Sequence, residues 1–268
     1  MARKFGGVLW ATRPSQDSVL SFTQPSEVRE ILVKPDEAVK KGQVLVRARD
    51  ADILAAIATQ RVRSSNEAEV KGAATALELA QFRYDQYRKA AAENAKSSPS
   101  EEAELRLSVD NARHQLDAAR ARLKEEQLRL ETLERQLERY RLEAPFDGRV
   151  ESVMVEQGQG LNEAEKVVRV VNTDLLWVEA PVPTDETLRL GLKTDSSAWV
   201  MLVIGDSVKV VRGRVLHVSP VADMASGTRR VRVEIANPSR WPAGTPAAVR
   251  FEEPVADWSS VATGRKNP

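Results

Sequence analysis

The side chains best equipped for chemistry are few and scattered in this chain. His114 and His217 stand far apart, and neither has an acidic partner at ligand spacing, a poor basis for a metal site. Cysteine is absent, which removes disulfides, thiolate nucleophiles and Cys-based metal centres together. The four methionines are dispersed, so no soft-metal relay is readable. No glycine-rich phosphate loop and no nucleophile elbow occur. Arg229, Arg230 and Arg232 make a local basic cluster that reads as a strand flank rather than a nucleic-acid patch. The residue types therefore predict no catalysis, no cofactor and no metal. The stretch that stands out instead is a turn, Glu93 to Glu101, between two long helical patterns.

Those patterns occupy Ala51 to Arg141. In the second arm Val109, Leu116, Leu123, Leu130 and Leu137 recur every seven residues. Leu105, Ala112, Ala119, Glu126, Leu133 and Tyr140 form the companion row, with Glu126 its one polar break. His114 falls on the flank of this seam. Charges of both signs fill the faces between (Glu125, Arg129, Glu131, Arg135, Glu138), several in Glu-to-Arg i,i+4 order. The first arm matches it distally with Val70, Ala73, Leu77, Ala80, Tyr84, Tyr87 and Ala91. Proximally the row Leu54, Ile57, Ala58, Val62 is less regular and predicts a stutter. At the turn, Ser98 as N-cap, Pro99 at the first helical position and Glu101 three after the cap predict a capping box, with the preceding helix ending near Lys96. A heptad seam alone would serve an intermolecular dimer as well. The capped break and the equal arms favour an intramolecular antiparallel hairpin, with arms of about 40 to 45 residues reaching roughly 60 to 70 Å.

On either side of the hairpin lies β-type sequence. Residues 27–45 alternate, turn and alternate again, and residues 144–161 do the same. Setting Val28 against Val150 also matches Ile31 with Val153, Val33 with Val155 and Val39 with Leu161. One small domain is thus built from a degenerate repeat that the hairpin splits, with Gly42, Gly148 and Gly158 at its turns. From Asp174 onward, strands are predicted at 175–180, 198–203, 209–218 and 228–235, with a brief helical turn at Leu188–Leu192 ending at Gly191. Their spacing suits a small barrel.

Bulk properties bound the rest. A chain of 268 residues with 42 % hydrophobic and 29 % charged residues can build two or three cores. A net charge of +1 gives no global pull towards nucleic acid. The opening Met1-Ala-Arg-Lys-Phe-Gly-Gly-Val-Leu-Trp is basic but lacks the apolar run of a secretory signal, and no stretch approaches the roughly 20 apolar residues of a membrane span. Either the protein is cytoplasmic or a leader or anchor lies outside this sequence.

Ala144-Pro145-Phe146-Asp147-Gly148-Arg149-Val150 and Val39-Lys40-Lys41-Gly42-Gln43-Val44-Leu45, in that bracketing arrangement around a hairpin, resemble the two half-motifs of the periplasmic adaptor, or membrane fusion protein, family (HlyD-like and RND-type efflux adaptors). The run Arg230-Val231-Arg232-Val233-Glu234-Ile235-Ala236-Asn237-Pro238, followed by Pro242-Ala243-Gly244, resembles the family's barrel ending. Ser26 and Asp36 replace glycines that the family usually carries. The resemblance implies a mainly β protein with a long α-helical coiled-coil hairpin, a split biotinyl/lipoyl-like domain and a small β-barrel. The domains would be an N-terminal segment 1–17 with a possible membrane-proximal remnant, a lipoyl-like domain at 18–50 and 142–173, the hairpin at 51–141, the barrel at 174–253 and a tail at 254–268. No lysine stands where a carrier domain would hold biotin or lipoate; that turn has become the insertion near Asp50-Ala51-Asp52.

Functionally, the resemblance implies a non-catalytic, periplasmic, inner-membrane-associated subunit of a Gram-negative tripartite efflux pump or type I secretion system. Its partners would be an ABC or RND inner-membrane transporter, a TolC-type outer-membrane channel and further copies of itself, six as in the family. It implies no cofactor. Docking would fall to the hairpin tip, where Arg83, Tyr87 and Ser98 or Ser100 lie in the order of the family's Arg, Leu and Ser, with Tyr87 in the leucine's place and Asn94 also at the tip. The alternative is a coiled-coil scaffold with no transport role.

Overall fold

The computed structural model describes residues 9–94, 98–205 and 207–253, and the chain divides into two compact units, residues 48–141 and the remainder. Residues 1–8 of the predicted N-terminal segment and the whole predicted tail, 254–268, lie outside the described residues.

The helical unit holds α1 (Ala51–Ser64), α2 (Ala68–Asn94) and α3 (Pro99–Glu138). α3 runs for 40 residues without interruption, and both α1 and α2 pack against it. Cross-contacts fix an antiparallel sense. Arg61 bonds Glu134, Glu69 bonds Arg122 and Tyr84 bonds Glu102, so the partner's number falls as the first number rises. The distal seam lies where the spacing put it. Ala80, Ala112, Leu116 and Ala119 are buried, and Val70, Ala73, Leu77, Tyr84, Leu105, Val109, Leu123, Leu130 and Leu137 are half-buried along the same line.

The proximal seam differs from the expectation. The inward residues of α1 are Ile53, Ile57, Gln60 and Ser64, whereas Leu54 is 41 % and Val62 71 % exposed. Apolarity misled here because two inward positions are polar. Gln60 is buried because its amide donates to the Glu126 backbone carbonyl (2.9 Å) and to its carboxylate (2.5 Å). The first arm is also two helices rather than one. Ser64 and Ser65 turn their hydroxyls onto the carbonyls of Arg61 and Val62, which competes with helix propagation. The Asn66 side chain then accepts from the Ala68 N–H (3.1 Å) and restarts the helix.

In the β unit the duplication is visible bond by bond. Strands β3 (Ser26–Ile31), β4 (Ala38–Val39), β7 (Gly148–Val153) and β8 (Gly160–Leu161) cross-pair, β3 with β8 and β4 with β7. Val28 donates to Gln159 and accepts from Gly158. At the equivalent positions Val150 donates to Glu37 and accepts from Asp36. Each copy closes its turns with a side chain three residues on, Glu37 onto Lys34 N–H in one and Gln159 onto Glu156 N–H in the other. Val28, Val33 and Val39 are buried, as are Val150, Val155 and Leu161. Behind them Leu45, Val46 and Ala48 of β5 (Val44–Ala48) match Val167, Val168 and Val170 of β9 (Lys166–Pro183), all fully buried. A short β6 (Arg141–Glu143) completes the four-stranded sheet β6-β5-β3-β8.

β9 continues out of this half into the larger sheet, where it pairs with β12 (Thr228–Ala236). The order proceeds through β11 (Ser207–Asp223), β10 (Ser197–Ile204) and β13 (Pro246–Arg250) to β1 (Trp10–Ala11). Alternating residues point inward: Leu176, Val178, Ala180 and Val182 meet Val200, Leu202, Val215, Val231, Val233 and Ile235. The N-terminal strands close the circuit. Trp10 pairs with Ala247, Thr12 exchanges backbone bonds with Thr245 and Gly244, and β2 (Arg13–Ser21) then pairs along β9 from Trp177 back to Lys166. Trp10, Ala11 and residues 13–17, which the sequence sets apart as a terminal segment, are therefore strand. The predicted helical turn is α4 (Thr184–Arg189), slightly earlier than expected, with Gly191 following at φ 57°.

Candidate functional site

At the tip of the helical hairpin three of the five residues singled out in the sequence come together. Tyr87 is half-buried in the seam, and its phenol reaches Ser98, donating to the backbone carbonyl (2.9 Å) and accepting from the backbone N–H (2.8 Å). The Ser98 hydroxyl lies 2.9 Å from the Ser100 hydroxyl. Ser98 is the N-cap residue and Pro99 follows it, as read from the sequence, but Ser98 makes no side-chain cap bond. The capping box is thus not formed. The N–H that Glu101 would have taken is held by Tyr87, and the hydroxyl that would have capped the helix is turned to Ser100.

Arg83 is exposed one turn further from the tip and stands apart from this cluster. It lines a shallow groove with Leu79 of α2 and Leu107 of α3, which are 48 % and 60 % exposed. Asn94 is the last residue of α2, and its side chain lies outside the described residues.

The turn glycines divide into two kinds. Gly42 and Gly158 have φ of 80° and 83°, as tight turns demand. Gly148 instead permits close approach, since a Cβ there would stand 2.5 Å from the Val171 carbonyl oxygen. Asp36 matches Gly158 in the other copy and adopts φ 66°, so the departure from glycine keeps the backbone shape.

The sequence reading missed a concavity of about 950 Å³ where β2 runs along β9. Its charged walls are ion-paired. Arg169 holds Asp17 through two bonds of 2.9 and 2.8 Å, and Arg232 grips Glu179 while stacking 4.6 Å from the Trp177 ring. The Arg169 guanidinium holds the Asp17 carboxyl below its ordinary value, and Arg232 does the same to Glu179. Carboxylates kept ionised in this way are anchors rather than proton donors. A register argument, with Arg13 opposite Trp177 and Glu179 opposite Arg232, would have been needed to find them. His114 and His217 are both exposed, and among the described residues no group of three potential metal ligands forms.

A family model described as the CusB-like, beta-barrel domain matches residues 175–254. The barrel is CusB-like. The match covers the CusB-like barrel from β9 to β13, while the closing strand β1 lies before it in sequence. Over the wider chain, the cobalt-zinc-cadmium resistance protein CzcB of Cupriavidus metallidurans is 27 % identical over 210 residues, covering 75 % of this chain and 36 % of CzcB. The crystal structure of MacA from Actinobacillus actinomycetemcomitans superposes with a TM-score of 0.74 at 17 % identity, covering 90 % of this chain and 76 % of that one. The membrane fusion protein Spr0693 of Streptococcus pneumoniae gives a TM-score of 0.50 at 16 % identity over 92 % of this chain and 99 % of its own. The fold of the wider chain is therefore like that of MacA and of Spr0693. This chain spans about half the length of the curated relatives it matches. Among the described residues no helix is long and apolar enough to cross a membrane.

Proposed function

We propose that this chain is a non-catalytic periplasmic adaptor of a tripartite export machine, an efflux pump or a type I secretion system, joining an inner-membrane transporter to an outer-membrane channel. The observation that carries this reading is the insertion of an uninterrupted 40-residue helix and its two antiparallel partners between the copies of a duplicated β-domain that leads into a CusB-like barrel. A helix of that length extends roughly 60 Å. Its seam is supercoil-compatible, and its flanks are charged with both signs rather than shaped into a cleft. The domains are the split lipoyl-like pair at 18–50 and 142–173, the hairpin at 51–141 and the barrel at 174–253. Copies of the chain, six in number, assemble around a conduit, and the tip residues Arg83, Tyr87, Asn94, Ser98 and Ser100 meet the channel. Energy for transport comes from the partner.

Cross-linking tests the docking directly. The chain has no cysteine, so Asn94→Cys and Ser100→Cys each introduce the sole thiol. Co-expressed with an outer-membrane channel that carries single cysteines at its periplasmic end, both variants should form adducts, and Glu134→Cys, far down the hairpin, should not. Absence of tip adducts in membranes where export is active would refute the bridging role.

A further inference from the structure

The geometry points to Tyr87 as a positioning residue of the tip: its phenol clasps the backbone of Ser98 and so fixes where the Ser98 and Ser100 hydroxyls stand. The functional consequence rests on the docking reading above, whereas the clasp itself does not.

Several independent features converge on this assignment. The turn lacks the side-chain cap that its sequence advertises, so the start of α3 is held by something else. Tyr87 ties the N-cap residue from across the hairpin, with bonds of 2.9 and 2.8 Å that engage the backbone carbonyl and the backbone N–H of Ser98. The ring sits half-buried in the seam between Tyr84 and Ala91, which restrains the phenol before any partner arrives. The Ser98 hydroxyl makes no cap bond and instead pairs with the Ser100 hydroxyl at 2.9 Å. A hydroxyl pair uses one of its two protons internally, leaving the other for an acceptor from outside. The surface so arranged suits a carbonyl or carboxylate oxygen at the end of a partner helix, where backbone carbonyls lack internal partners. A leucine at position 87 would fill the same seam position and leave the turn untied.

Amide hydrogen exchange on the full chain reads the clasp without any partner. Tyr87→Phe keeps the ring and deletes the hydroxyl, and it should speed exchange of the Ser98 amide about tenfold, the effect of removing one ordinary hydrogen bond. Tyr87→Leu should do the same, and Tyr84→Phe, whose phenol bonds Glu102 at a long 3.4 Å, should not. Unchanged exchange at Ser98 in Tyr87→Phe would overturn the assignment. A second arm measures adduct yield from Asn94→Cys to the channel in the Tyr87→Phe background. The yield should fall while thermal unfolding of the helices stays unchanged, and an undiminished yield alongside faster exchange would overturn the positioning role. If the parent Asn94→Cys protein gives no adduct at all, the docking reading fails by itself and the exchange arm still decides the clasp.

Discussion

Single residues carry the geometry of the β unit in ways that a substitution can separate. Gly148 does not have a positive φ, yet a methyl group on it would meet the Val171 carbonyl oxygen at 2.5 Å and its carbon at 3.1 Å, with the Phe146 ring at 3.4 Å. Gly158 has open space around it but a φ of 83°. Gly148→Ala should therefore cost about 2 to 3 kcal/mol through overpacking, and Gly158→Ala about 1 to 2 kcal/mol through left-handed strain. Urea midpoints of the two variants check the order, and a larger loss at Gly158 would remove the close-approach argument. Both glycines were legible in the sequence as turn residues. Only one is a turn residue in the conformational sense, because a carbonyl that crowds position 148 from β9 leaves no trace in the residues beside it. Tyr87 was half legible in the same way. Its seven-residue spacing marked it as a seam residue, while its two bonds to Ser98 depend on how the chain closes after the turn.

At the scale of elements, the heptad seam was the most readable feature because its period is set by the helix itself. Where it failed, in α1, a polar pair had displaced the apolar rule. Gln60 is 4 % exposed and its amide bonds the backbone carbonyl and one carboxylate oxygen of Glu126. Glu126 had been visible as a polar break, but its partner could be named only once the antiparallel register was known. Removing one member should hurt more than removing both. Gln60→Leu leaves the Glu126 carboxylate facing an apolar side chain and should cost about 1 to 3 kcal/mol. Gln60→Leu combined with Glu126→Leu should recover most of that or exceed the parent, since a seam filled with leucine carries no desolvation cost. Far-UV circular dichroism during urea unfolding measures the coupling, and simple additivity of the two single losses would show that the pair is not an energetic unit.

For the molecule as a whole, the hardest property to read was closure of the barrel. The strands from β9 to β12 announce themselves by alternation, but β13 had been passed over behind Pro242-Ala243-Gly244. Trp10 and Ala11, which pair with it, come from the opposite end of the chain. Pairing of β2 with β9 brings Asp17 to Arg169, and pairing of β12 with β9 sets Arg232 opposite Glu179; these two ion pairs tie the β unit's response to acid. Asp17 and Glu179 are held below their ordinary carboxylate values by bonds to Arg169 and Arg232. A carboxylate with a depressed folded pKa binds fewer protons than its unfolded counterpart. Its contribution is therefore complete above the unfolded value, about 4, and is lost as pH falls through the lower folded value. Between pH 7 and about pH 5 the unfolding midpoint should hardly change on this account, and below about 4 it should drop with uptake of protons. Both pairs are partly solvated, with Asp17 37 % and Glu179 27 % exposed in their side chains, so salt should weaken the effect. In a protein carrying Asp17→Asn and Glu179→Gln the midpoint at pH 7 should fall modestly and the acid slope should flatten. If the doubly substituted protein lost stability below pH 4 as steeply as the parent, the acid response would have to come from other carboxylates, and the two arginine clamps would be holding geometry rather than storing pH-dependent stability.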